Sequence, residues 1–154
     1  MRKIDQLLSE YGESHQNVTN KTIHWICVPL IFFSVVGLIA SIPSDFLQST
    51  FGSYANWATV TMVLVLIYYI SLSIPLTLGM GLFAFLCLYL ANSISAFAPL
   101  WLVCVVVFVL AWIGQFYGHK IEGKKPSFLK DLQFLLIGPA WLMHFIYKRL
   151  GIPY

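Results

Sequence analysis

Four histidines, one of them followed three residues later by a glutamate, are the residues of this sequence best equipped for chemistry. His15 and His24 precede or open the first long apolar run, His119 and Glu122 close the fourth, and His144 sits in the last apolar stretch. Imidazole and carboxylate are the usual protein ligands of iron, zinc, copper and manganese, and two histidines plus a carboxylate with open positions suit ferrous oxygenases. Trp112, Gln115, His119 and Glu122 step by three, four and three, so they form one stripe on the end of a helix. Glu13, Asn17, Asn20 and His24 would make a similar stripe. His15 does not join it, because it lies about two and a half helical turns from His24. On one straight helix the two rings point in opposite directions. They share a site only if the helix breaks between them, and Asn17, Thr19 and Asn20 are capping and turn residues that suit a break. Spacing alone leaves a second reading open, in which interfacial histidines bond phosphate headgroups or cap helix C-termini. His144 fits that second reading better, as a partly buried interfacial histidine.

These residues must be positioned by helices in a membrane. The chain is 59% hydrophobic and only 10% charged, whereas charged residues make up about a quarter of an ordinary soluble chain. The missing charge belongs to surface that faces lipid. A transmembrane helix needs roughly 20 apolar residues. Trp25 to Ile42 is one such run, closed by Pro43-Ser44-Asp45. A second run from Trp57 to Leu90 is too long for one crossing, at about 50 Å of helix. Pro75 and the Gly79/Gly81 pair predict two helices there, 57–73 and 77–91, joined by a tight turn. The fourth runs from Ala98 to Gln115. Leu132 to Tyr147 is shorter and is interrupted by Gly138-Pro139.

Charge sets the orientation. All nine Lys and Arg residues fall at Arg2, Lys3 and Lys21, or at Lys120, Lys124, Lys125, Lys130, Lys148 and Arg149. The connections 43–56 and 92–97 hold none. Four spans place both basic ends in the cytoplasm, as the positive-inside rule requires, whereas a fifth full span would put Lys148 and Arg149 on the wrong side. The expectation is an all-α membrane protein with one domain over 1–154. It has four transmembrane helices, a short N-terminal amphipathic interfacial helix carrying Ile4, Leu7, Leu8 and Tyr11, and a C-terminal interfacial or re-entrant helix. Both termini are cytoplasmic, in a bacterial inner membrane or an endoplasmic reticulum. His15, His24, His119 and Glu122 then emerge on one face, although about a hundred residues separate the two groups.

Other functional classes find little support. Cys27, Cys87 and Cys104 lie in apolar runs without C-x-x-C spacing, and read as small buried hydrophobes. No Lys/Arg stripe for nucleic acid and no G-x-S-x-G elbow is present. Trp25, Trp57, Trp101, Trp112 and Trp141 fall near span ends, as an aromatic belt would, and Gly79 and Gly81 read as turn residues. Lys124 and Lys125 suit anionic lipid or a fatty-acid carboxylate.

Two blocks of the sequence carry a resemblance. The first is Tyr11-x-x-x-His15 with Asn20-x-x-x-His24 and Pro29; the second is Trp112-x-x-Gln115-Phe116-x-Gly118-His119-x-x-Glu122-Gly123-x-x-Pro126. Together they resemble the signatures of a small membrane family of 2-hydroxy fatty acid dioxygenases, whose yeast member acts in phytosphingosine breakdown. The resemblance extends over nearly the whole chain. Ser127 stands where that family usually has alanine, and His144 belongs to neither block. The resemblance implies an Fe(2+)-dependent dioxygenase that shortens long-chain 2-hydroxy fatty acids by one carbon, with dioxygen as co-substrate. It also implies His15, His24 and His119 as metal ligands, with Asn20 and Glu122 as their polar companions in catalysis. Two other readings use the same residues: a zinc-dependent membrane hydrolase with Glu122 as general base, and a non-enzymatic helical scaffold or transport subunit.

Overall fold

The computed structural model describes residues 2–123 and 134–154. Lys124, Lys125 and Lys130, the Pro126-Ser127 pair and the start of the last apolar stretch lie outside the described residues. Those described form seven helices and no strand: α1 Lys3–Glu13, α2 Val18–Ala40, α3 Asp45–Phe51, α4 Trp57–Ile70, α5 Ile74–Ser95, α6 Leu100–Glu122 and α7 Ile137–Leu150.

Three of these, α2, α5 and α6, are long and apolar enough to cross a membrane. The apolar α4 has 14 residues, about 21 Å of helix against about 30 Å of hydrocarbon. The chain stops α4 earlier than its sequence suggests. Ser73 N–H still bonds to Tyr69 O at 2.8 Å, and Ser73 then caps α5 with its hydroxyl while Pro75 occupies the first turn of that helix. A proline is tolerated there because its missing N–H would have had no helical partner. Gly79 and Gly81 are therefore not turn residues; both lie inside α5. Gly79 instead permits α7 to come close, since a Cβ there would stand 2.7 Å from the Tyr147 hydroxyl. That hydroxyl donates to the Pro75 carbonyl at 2.7 Å.

The axis of the bundle is the antiparallel pair α2 and α6. Small residues let the two backbones approach: a Cβ on Gly118 would meet Asn20 Oδ1 at 2.4 Å, one on Gly114 would meet Cys27 Sγ at 2.6 Å, and one on Gly37 would meet Cys104 Sγ at 2.3 Å. Helices in lipid associate through such close packing, because lipid gives them no hydrophobic drive to pair. The cysteines are accordingly buried, free and structural. The outer faces of α5 and α6 expose Leu78, Leu82, Phe85, Val106, Val109 and Leu110, an apolar coat suited to acyl chains.

The amphipathic α1 differs from expectation in what covers its apolar stripe. Ile4, Leu8 and Tyr11 are buried against Tyr69, Leu76, Ile137 and Trp141, so protein rather than lipid receives them. The α7 helix starts beside Val28 of α2 and ends in the exposed Lys148 and Arg149. Its first turns are buried through Leu142, and the Tyr69 hydroxyl donates to Leu136 O just before it. Trp141 is consequently a core residue and not a member of an interfacial belt.

Candidate metal centre

The helix break required by His15 and His24 is present. The α1 helix ends at Glu13, and α2 starts at Val18 with Asn17 as its N-cap. Asn17 Oδ1 accepts from Thr19 N at 2.8 Å and Asn20 N at 3.3 Å, satisfying amides that the first turn of a helix leaves without partners. His15 lies in the resulting kink and turns back towards α2, whereas Glu13 stays on α1 and the proposed stripe through it is interrupted.

Glu122 locks that kink from the far end of the sequence. Its Oε1 accepts the Gln16 N–H at 2.8 Å, and its Oε2 accepts the Asn17 N–H at 3.0 Å and the Asn20 side-chain amide at 3.0 Å. A carboxylate is also electrostatically favoured at the N-terminus of a helix, here α2. Asn20 is fully buried and links both sides of the site. Its side chain holds Glu122, and its backbone carbonyl holds His24 Nδ1 at 2.9 Å.

Three imidazoles meet inside this frame. His15, His24 and His119 are all buried, and one ring nitrogen from each lies within 4.8 Å of the others. The ring centroids of His15 and His24 are 4.1 Å apart, and those of His24 and His119 are 5.3 Å apart. His15 Nδ1 lies 2.6 Å from Tyr11 O, as His24 Nδ1 does from Asn20 O. A carbonyl only accepts, so each Nδ1 carries the proton and leaves Nε2 with its lone pair. That is the usual support of a metal-bound histidine. Tyr11 stacks flat on His15 at 4.3 Å, with Trp141 5.4 Å from the same ring. The donor set consists of nitrogen alone. It fits a divalent transition ion and does not fit calcium or magnesium, which take oxygen ligands.

A cavity of about 40 Å³ opens onto His24 and His119, walled by Val28, Ile31, Trp112 and Leu135 with Gln115 beside them. Trp112 thus faces inward, another departure from the belt reading. His144 stays away from the cluster, half-buried on α7 and bonded through Nδ1 to the Tyr154 hydroxyl. The spacing of residues brought Gln115 into the stripe with His119 but gave it no task. Trp141 and the stacking role of Tyr11 had no signal in the spacing, because both depend on how α1 and α7 pack.

The family model described as 2-hydroxy-palmitic acid dioxygenase Mpo1-like matches residues 1–150, and the chain belongs to that family. No curated protein and no solved structure matches it.

Proposed function

We propose that the chain is an iron(II)-dependent dioxygenase that shortens long-chain 2-hydroxy fatty acids by one carbon. The observation that carries this reading is the convergence of three buried imidazoles from positions about a hundred residues apart, within 4.8 Å of one another. Buried ring nitrogens cost free energy unless they are partnered, and one metal ion would partner all three rings. The family description supplies the substrate class, a 2-hydroxy acid and dioxygen. One such acid and one dioxygen balance as the acid one carbon shorter, carbon dioxide and water, so no further reductant is needed.

His15, His24 and His119 would hold the metal, which supplies oxygen chemistry and leaves positions open for small ligands. The chain's own residues do the rest. Tyr11 O and Asn20 O fix the two Nδ1 protons, and Glu122 keeps the kink from unwinding. Asn20 and Glu122 are positioning residues in this reading, and neither is a ligand. That arrangement is also the argument against the zinc hydrolase: the Glu122 carboxylate, already accepting three N–H groups, is poorly placed to act as a general base. The cavity is far too small for a fatty acid, so only the head group enters and the tail lies among helices and lipid.

The same reading includes four crossings with both termini cytoplasmic. Antiparallel α2 and α6 bring the start of one helix to the end of the other, which needs an even number of crossings. The short α4 supplies the fourth. Its Ala58 end packs with Val36 and its Tyr69 end with Leu8 and Tyr11, so it runs the length of the bundle despite its 14 residues. Lys21 and Lys120 flank the histidine end, in keeping with a cytoplasmic site.

Metal analysis of the purified protein, followed by oxygen uptake with 2-hydroxyhexadecanoic acid, tests the proposal. Stoichiometric iron and oxygen consumption are expected. Zinc without oxygen uptake would hand the site to a hydrolase, and absence of stoichiometric metal would leave a structural histidine cluster.

A further inference from the structure

Gln115 is a buried amide with no evident structural employment. It lies on α6 one turn before His119, is 5% exposed, and makes no hydrogen bond to any described residue. Its neighbours on the cavity wall are His24, His119, Trp112, Val28 and Ile31. Buried amides are ordinarily hydrogen-bonded, and those that are not call for a partner outside the fold. The histidines would be committed to metal, and Gln115 is a polar side chain on this wall placed to meet a ligand.

We infer that Gln115 reads the head of the substrate and sets the requirement for a 2-hydroxyl group. This inference rests on the dioxygenase reading and deepens it. A primary amide presents a carbonyl acceptor and an NH₂ donor side by side. A 2-hydroxy acid presents the matching pair on adjacent carbons: a hydroxyl that donates and a carboxylate that accepts. Gln115 Oε1 takes the hydroxyl hydrogen bond and Nε2 gives one to a carboxylate oxygen. An acid lacking the hydroxyl leaves the amide oxygen buried and unbonded. Sites built to hydrogen-bond a substrate hydroxyl discriminate strongly against analogues without it, for this reason.

The test is binding of 2-hydroxyhexadecanoic acid and hexadecanoic acid to the full-length protein in detergent, by calorimetry under anaerobic conditions, with metal content measured on the same samples. Wild type is expected to prefer the hydroxy acid by tenfold or more. Gln115→Leu and the length-matched Gln115→Met are expected to keep their metal and to lose that preference. They should bind the hydroxy acid at least tenfold more weakly, and the plain acid as well as wild type does or better. Preserved preference in either metal-loaded variant overturns the assignment. Loss of metal from both variants overturns it too, because Gln115 would then support His119 rather than read a ligand. A wild type that binds no metal or consumes no oxygen fails the underlying function, a result distinct from a metal-loaded, active wild type whose variants still discriminate.

Discussion

Glu122 Oε1 accepts the backbone N–H of Gln16 at 2.8 Å, so the last residue of α6 closes the kink that aims His15. The bond joins residues 106 positions apart. It makes the entrance to α2 and the exit of α6 a single structural unit, with one imidazole in the kink, one on each helix, and a carboxylate bonded to the kink.

Replacing Glu122 by Gln removes the charge and one of the two equivalent acceptor oxygens. We expect metal affinity to fall about ten- to a hundredfold, the usual cost of losing an outer support of a metal ligand. Saturating iron should restore most of the turnover. Titration of the metal into the variant, with activity measured at each step, separates this from direct ligation, where no concentration of iron would restore activity. Unchanged affinity would mean that the kink holds without the carboxylate.

His15→Ala, His24→Ala and His119→Ala should each lose stoichiometric metal and activity while the helices remain intact, because packing within lipid holds the bundle. His144→Ala removes a ring that bonds Tyr154 away from the cluster, and it should retain its metal. Metal content and helical circular dichroism of the four variants decide the matter. Retention of metal by all three site variants would sink the centre.

Gly118→Ala would place its Cβ 2.4 Å from Asn20 Oδ1, displacing the buried side chain that holds Glu122 at the level of the histidines. Overpacking of this kind costs about 1–3 kcal/mol. Both thermal stability and metal retention should drop. Gly81→Ala is the control on the same chemistry, since its Cβ would meet nothing nearer than Leu66 at 3.8 Å. Helix propensity favours alanine there by about 0.5–1 kcal/mol. If Gly118→Ala melts no lower than Gly81→Ala, the tight seam is not what holds the site.

Topology reporters fused at the two ends should agree on a cytoplasmic location. Opposite sides would mean that α4 fails to cross. The antiparallel pairing of α2 with α6 would then need a different explanation.

The sequence located the histidine cluster more sharply than it located the helix ends. The nine-residue interval between His15 and His24 forbids a shared site on a straight helix, and Asn17 supplies the interruption; both facts are local. The stop of α4 misleads because proline and glycine are ordinarily punctuation. Here Pro75 opens a helix and Gly79 accommodates Tyr147 from α7, a contact 68 residues away along the chain that no local pattern encodes. Trp141 was hidden for the same reason. Its tryptophan character suits a membrane interface, and only the docking of α7 on α1 puts it against His15.

The joining of the two chain regions by Glu122 has a consequence for biogenesis. A ribosome inserting this chain delivers His15 and His24 first, followed by three further helices of the bundle before α6 brings His119 and the carboxylate that shapes the kink. Until then the first two imidazoles lack their third companion, and the kink that aims His15 lacks its carboxylate. If the three rings hold an ion as proposed, its premature capture by the half-made protein would be disfavoured. Under the proposed iron reading, loading would have to wait for α6, so a chain truncated ahead of α6 should enter the membrane and remain empty whatever iron is supplied.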